Sequence, residues 1–145
     1  MAAGAGYREL GEAAWALVAR QVQDDAGPWL PEEVPEDGPP AGPGPDRDSL
    51  YGGIGGLAPV LAEIRQYRVL TDSEESLAAG IVARLLAMVP TRTEPSLYVG
   101  LAGDATALKL LAPGREQGAL ARLAELTTAQ AGPPRWRSSP RRWPR

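Results

Sequence analysis

The sequence predicts an all-α protein built from repeated helical hairpins, and three observations carry that prediction. Apolar residues recur at spacings of three and four through most of the chain, and no segment alternates convincingly as a strand. The third observation is a repeat. Ser49-Leu50-Tyr51-Gly52-Gly53-Ile54-Gly55-Gly56-Leu57-Ala58-Pro59-Val60-Leu61 returns without a gap, 47 residues later, as Ser96-Leu97-Tyr98-Val99-Gly100-Leu101-Ala102-Gly103-Asp104-Ala105-Thr106-Ala107-Leu108, with seven of thirteen positions identical. A repeat of this period marks stacked supersecondary units, each too small to bury its own apolar face.

In chain order, Tyr7, Leu10, Ala14, Leu17, Val18 and Val22 place one apolar stripe on a first helix over Tyr7 to Gln23, with Trp15 on the margin of that stripe. Asp24-Asp25-Ala26-Gly27-Pro28 stops it. Residues 24–48 hold seven Pro and eight acidic residues and read as an extended, solvated acidic loop. The first repeat copy then opens a second helix, in which Ile54, Leu57, Ala58, Val60, Leu61 and Ile64 cover more than one face, as suits burial on several sides. Thr71-Asp72-Ser73-Glu74 matches a capping box and opens a third helix to about Val89, with Leu77, Ile81, Leu85 and Met88 as its stripe. The second copy opens a fourth helix that Pro113-Gly114 ends near Leu111, and a fifth runs from about Arg115 to Gln130. The two glycine-led helices are expected inside and the other three outside.

Composition bounds the chemistry. The 145 residues include no Cys and no His, which removes disulfides, thiolate chemistry, Ser-His-Asp catalysis and the commonest metal ligand. There is no apolar run long enough to cross a membrane and the first ten residues lack a signal-peptide pattern, so no membrane partner and a cytoplasmic location are the expectation. The net charge of −3 is divided: residues 133–145 hold five Arg and no acid, which leaves 10 basic against 18 acidic residues before them. One domain over 1–132 and an Arg/Trp/Pro-rich disordered tail over 133–145 are expected. Interleaved Arg and Trp can pair with phosphates and stack on bases, but no nucleic-acid-binding fold accompanies them, so nucleic acid is disfavoured as a partner. An out-of-register reading of a GC-rich frame explains such a tail more simply.

Glycine within a helix costs about 1 kcal/mol relative to alanine, so Gly52, Gly53, Gly55, Gly56, Gly100 and Gly103 need a reason: close packing, or a positive φ at the helix entrance. A phosphate cradle is the first chemical reading of Gly52-Gly53-Ile54-Gly55-Gly56, but such cradles follow a strand and, in P-loops, carry Lys and Ser/Thr, all lacking here. Recurrence of the motif favours a structural role instead. Ser49, Tyr51, Gly53, Gly56, Ser96, Tyr98, Gly100 and Gly103 are thus its structural positions, the tyrosines reading first as packing residues. Carboxylates remain the only catalytic candidates. Asp46, Asp48, Glu94 and Asp104 lie at the helix entrances, with Asp48 and Asp104 the two retained, against the simpler reading that acids favour a helix N-terminus.

The pattern Ser-Leu-Tyr-x-Gly-x-x-Gly-x-x-x-x-Leu, opening successive inner helices, resembles the lanthionine synthetase C-like (LanC-like) proteins over about Tyr7 to Gln130. That resemblance implies an α/α toroid, of which about two and a half hairpins are present: an incomplete ring and an N-terminal part. It further implies a zinc-dependent cyclase that adds a peptide Cys thiolate to a dehydrated Ser or Thr, with a peptide as substrate. The family's zinc is held by two Cys and one His, none of which can be carried over, so this chain alone is expected to hold no cofactor and to be inactive, zinc belonging to full-length members. Two alternatives stand beside it: a carbohydrate-active toroid of the six-hairpin glycosidase kind, and a non-catalytic helical-repeat interaction module.

Overall fold

A computed structural model describes residues 3–130, with side chains over 6–129; the expected tail lies outside the described residues. Five helices make up the body: α1 (Ala3–Ala19), α2 (Leu57–Tyr67), α3 (Asp72–Met88), α4 (Leu101–Leu111) and α5 (Gln117–Gln130). The class is all-α, with one small departure. Strands β1 (Gln23–Asp24) and β2 (Pro28–Trp29) pair antiparallel, Gln23 opposite Trp29. Ala26 and Gly27, at φ 54° and 98°, turn the chain back between them. The acidic stretch is therefore not solvated throughout, because this turn buries Trp29 and β2 rests on α3.

Helix α3 starts where the sequence places it. The Thr71 hydroxyl accepts from the Glu74 N–H (3.3 Å), and the Glu74 carboxylate accepts from the Thr71 N–H (2.8 Å), so both halves of the capping box are made. At the far end of α4 the stop at Pro113-Gly114 also holds, with Gly114 at φ 94°. The short turn after it is closed by the Glu116 carboxylate, which accepts from the Gly114 N–H (2.6 Å) and pairs with Lys109 (3.2 Å).

Helix α4 is the centre of the body, packed against α2, α3 and α5 and buried on nearly every side through Leu101, Ala105, Ala107, Leu108 and Leu111. Ile54, Ala58, Leu61, Ile81 and Leu85 complete the solvent-free part of the core. At about 1.5–3 kcal/mol for each fully buried aliphatic side chain, this cluster is the main source of stability. The expectation for α2 needs correction. It buries Leu57, Ala58 and Leu61 on one side only, while Val60 is 40% and Tyr67 72% exposed. The cause is the position of α1. It stands away from α2, leaving a groove of about 840 Å³ lined by Tyr7, Trp15, Pro59, Val60, Ile64 and Tyr67, among others.

Helix α1 also turns a different face to the body from the one its pattern indicates. Trp15, on the margin of the stripe, is the buried residue among the described side chains of that helix, and its indole N–H donates to the Glu74 carboxylate (2.7 Å). Arg68 adds a second fastening, donating to Glu12 (2.9 Å) and to Glu74 (2.8 Å). The stripe residues Tyr7, Leu10 and Leu17 remain 77%, 66% and 54% exposed.

Candidate functional site

The two repeat copies lie side by side. The Tyr51 N–H donates to the Tyr98 carbonyl (3.1 Å), and the two rings meet edge to face with centroids 5.9 Å apart. Within each copy the same backbone bond closes the entrance: Ile54 N–H to Arg47 O (2.7 Å), and Leu101 N–H to Glu94 O (2.9 Å), the partners again 47 residues apart. The glycines follow the same register. A Cβ on Gly53 would overlap the Arg47 carbonyl and one on Gly100 the Glu94 carbonyl. One on Gly56 would crowd the Leu50 oxygen, and one on Gly103 would overlap the Leu97 oxygen. Their φ values at Gly53 and Gly100, −116° and −132°, are accessible to any residue, so close approach rather than a left-handed turn explains them. The serines differ: Ser49 Oγ accepts from the Gly52 N–H (3.0 Å), whereas buried Ser96 Oγ has no protein partner.

Both retained carboxylates are buried behind these entrances, and each is gripped by an arginine. Asp48, 4% exposed, takes two bonds from Arg84 of α3 (2.8 and 3.0 Å). Asp104, 2% exposed in the first turn of α4, takes its closer bond from Arg92 Nε (2.9 Å). Burial pushes the Asp104 carboxyl above the usual aspartate range, further raised by the charge of Asp48 and opposed by Arg92. The bond to Asp48 raises the Arg84 guanidinium in turn. Arg47 joins the cluster, 3.7 Å from Asp48, and donates to the Gly27 carbonyl (3.0 Å), so it ties the acidic loop to the first entrance. Asp46 and Glu94 instead sit at the surface, where the Glu94 carboxylate accepts from the Ser96 N–H (3.2 Å).

This arrangement suits structure better than hydrolysis. A carboxylate acting as acid, base or nucleophile must reach a substrate, yet Asp48 and Asp104 spend their oxygens on guanidinium groups. Neither lines the groove between α1 and α2, nor the smaller hollow of about 390 Å³ beside Arg65, Val82 and Arg115. Among the described residues no group of three or more acids, Cys or His is placed to hold a metal ion. The partners Arg84 and Arg92 were not legible as site residues, because their roles depend on contacts 36 and 12 residues away. No helix among the described residues is long and apolar enough to cross a membrane. No protein-family model, curated protein or solved structure matches this chain.

Proposed function

We propose that the chain is a lanthionine synthetase C-like protein, related to the cyclases of lanthipeptide biosynthesis, that takes part in cytoplasmic peptide modification without itself carrying the zinc site or the catalytic residues. The observation that supports this most is the duplicated entrance, in which the Arg47–Ile54 and Glu94–Leu101 backbone bonds and the glycine contacts recur in one register. On this reading α2 and α4 are inner helices of an incomplete α/α toroid and α1, α3 and α5 outer ones, in keeping with the burial of α4 between three neighbours. A sequence without Cys or His offers no thiolate or imidazole ligand to zinc, and carboxylates alone are a poor substitute. Zinc titration with metal analysis of the purified protein tests the proposal: stoichiometric, tightly held zinc overturns it. Peptide engagement is tested separately, by fluorescence anisotropy with a labelled, dehydrated, Cys-containing peptide; the expected result is binding without loss of its alkylatable thiol.

The carbohydrate-active reading is weakened by the arginine-bound state of Asp48 and Asp104. The interaction-module reading draws support from the uncovered stripe of α1, which any toroid reading must also account for.

A further inference from the structure

We infer that α1 is a dimerisation helix, pairing antiparallel with α1 of a second copy of this chain about a two-fold axis near Ala14. Tyr7, Leu10, Ala14 and Leu17 recur at spacings of three, four and three, the seam of a helix pair, and Trp15 holds the helix to the body by a different face. Three of the four are more than half exposed, and Val18 beside them is 37% exposed. No charged residue stands in that seam or at the flanking Gly11, Ala13 and Val18, and the small residues at 11, 13 and 14 let two backbones approach closely.

Charge supplies the choice of occupant. Glu9 and Arg20 lie together on one flank of the seam, and neither makes an ion pair among the described residues. Arg20 directly follows the last residue of α1, and the point midway between it and Glu9 falls beside Ala14, at the proposed axis. In an antiparallel pair Glu9 of each copy therefore comes opposite Arg20 of the other, twice, as a two-fold interface requires. The area is of the right order. Two tyrosines near three-quarters exposed, Tyr7 and Tyr67, present on the order of 300 Å². Val60 and Tyr67 line the groove beside Tyr7, and with Leu10, Leu17 and Val18 of α1 they go toward the roughly 800 Å² per partner of a stable interface.

Sedimentation equilibrium of the full chain over a concentration series tests this, with expected convergence on twice the 15.3 kDa monomer mass. Leu10→Glu with Leu17→Glu should weaken association by at least ~tenfold and leave the near-ultraviolet circular dichroism unchanged, since both positions are exposed. Glu9→Arg and Arg20→Glu should each weaken it, and the two together should restore it. The chain has no Cys, so Ala14→Cys gives a single thiol near the axis; mild oxidation should give a covalent dimer, and the same change at Ala124 of α5 should not. A monomer at every concentration overturns the proposal, as does a dimer indifferent to the Leu10 and Leu17 changes. Protection of a thiol at Leu17→Cys that vanishes when residues 131–145 are removed would assign the face to the chain's own tail, and also overturns it.

Discussion

The Tyr51 N–H donates to the carbonyl of Tyr98, its counterpart 47 residues later, so the two copies of the repeat are bonded to each other at the same position of the motif. Their rings add an edge-to-face contact while remaining 81% and 62% exposed. Tyr51→Ala is expected to cost about 0.5–1 kcal/mol, the low end for an aromatic pair because solvent still reaches it. Tyr51→Phe should cost almost nothing, since the ring contact does not depend on the hydroxyl. A double-mutant cycle with Tyr98→Ala, read by urea unfolding, checks this; additive losses would show the ring contact to be inert.

The glycines of the entrances give a sharper contrast. Gly100→Ala and Gly103→Ala place a Cβ against backbone carbonyl oxygens, which cannot swing aside as a side chain could. Each is expected to lower stability by about 1–3 kcal/mol. Gly118→Ala in α5 meets no atom within 4 Å and should stabilise by up to about 1 kcal/mol. Urea midpoints of the three variants decide it, and equal effects in all three would refute the close-approach account.

The Asp104–Arg92 pair is expected to behave as a buried pair: costly to break, cheap to replace. Arg92→Met leaves the buried Asp104 carboxyl without its counter-charge and should cost about 1–3 kcal/mol. Asp104→Leu with Arg92→Met should recover most of that loss, because the desolvation of both charges disappears together. Thermal unfolding of the two variants compares them, and a double variant less stable than Arg92→Met alone would be the contrary result.

Glu74 and Asp104 should push the acid limb of stability in opposite directions. The bond from Arg68 holds the Glu74 carboxyl far below the usual glutamate value of 4.5. Its contribution is therefore full above that value and lost as pH falls toward the folded-state value. Asp104 is raised above 3.8, so its contribution is full below 3.8 and declines as pH rises through its folded-state value. Glu74→Gln should flatten the rise of stability with pH in the acid range, and Asp104→Asn should steepen it. Urea unfolding at a series of acid pH values measures both slopes, and a common direction of change would contradict these assignments.

What could be read from the sequence was what is decided locally. The α3 capping box spans four residues, and the stop of α4 needs only Pro113-Gly114, so both are placed correctly. Motif recurrence also placed the two entrances, and close packing was one of the two reasons expected for their glycines. The burying face of α1 was misread, because the stripe of Leu10 and Leu17 is the stronger pattern while the residue that docks the helix is Trp15, bonded to a carboxylate 59 positions on. Val60 was assigned to the core for a related reason: periodicity shows that a face is apolar, not whether a neighbour arrives to cover it. Trp29 and the arginine partners of the two aspartates depend on tertiary contacts that no local pattern encodes.

The bond between Trp15 and Glu74 bears on how the chain is made. Chains leave the ribosome at about 5–20 residues per second, so some 3–12 s separate synthesis of the indole from synthesis of its acceptor. Through that interval the first helix has no body to dock on, and its apolar stripe is presented to whatever nascent chain or chaperone stands nearby. The segment made earliest is thus among the last to be secured, and an encounter between two neighbouring polypeptides on one messenger could take place before either has folded.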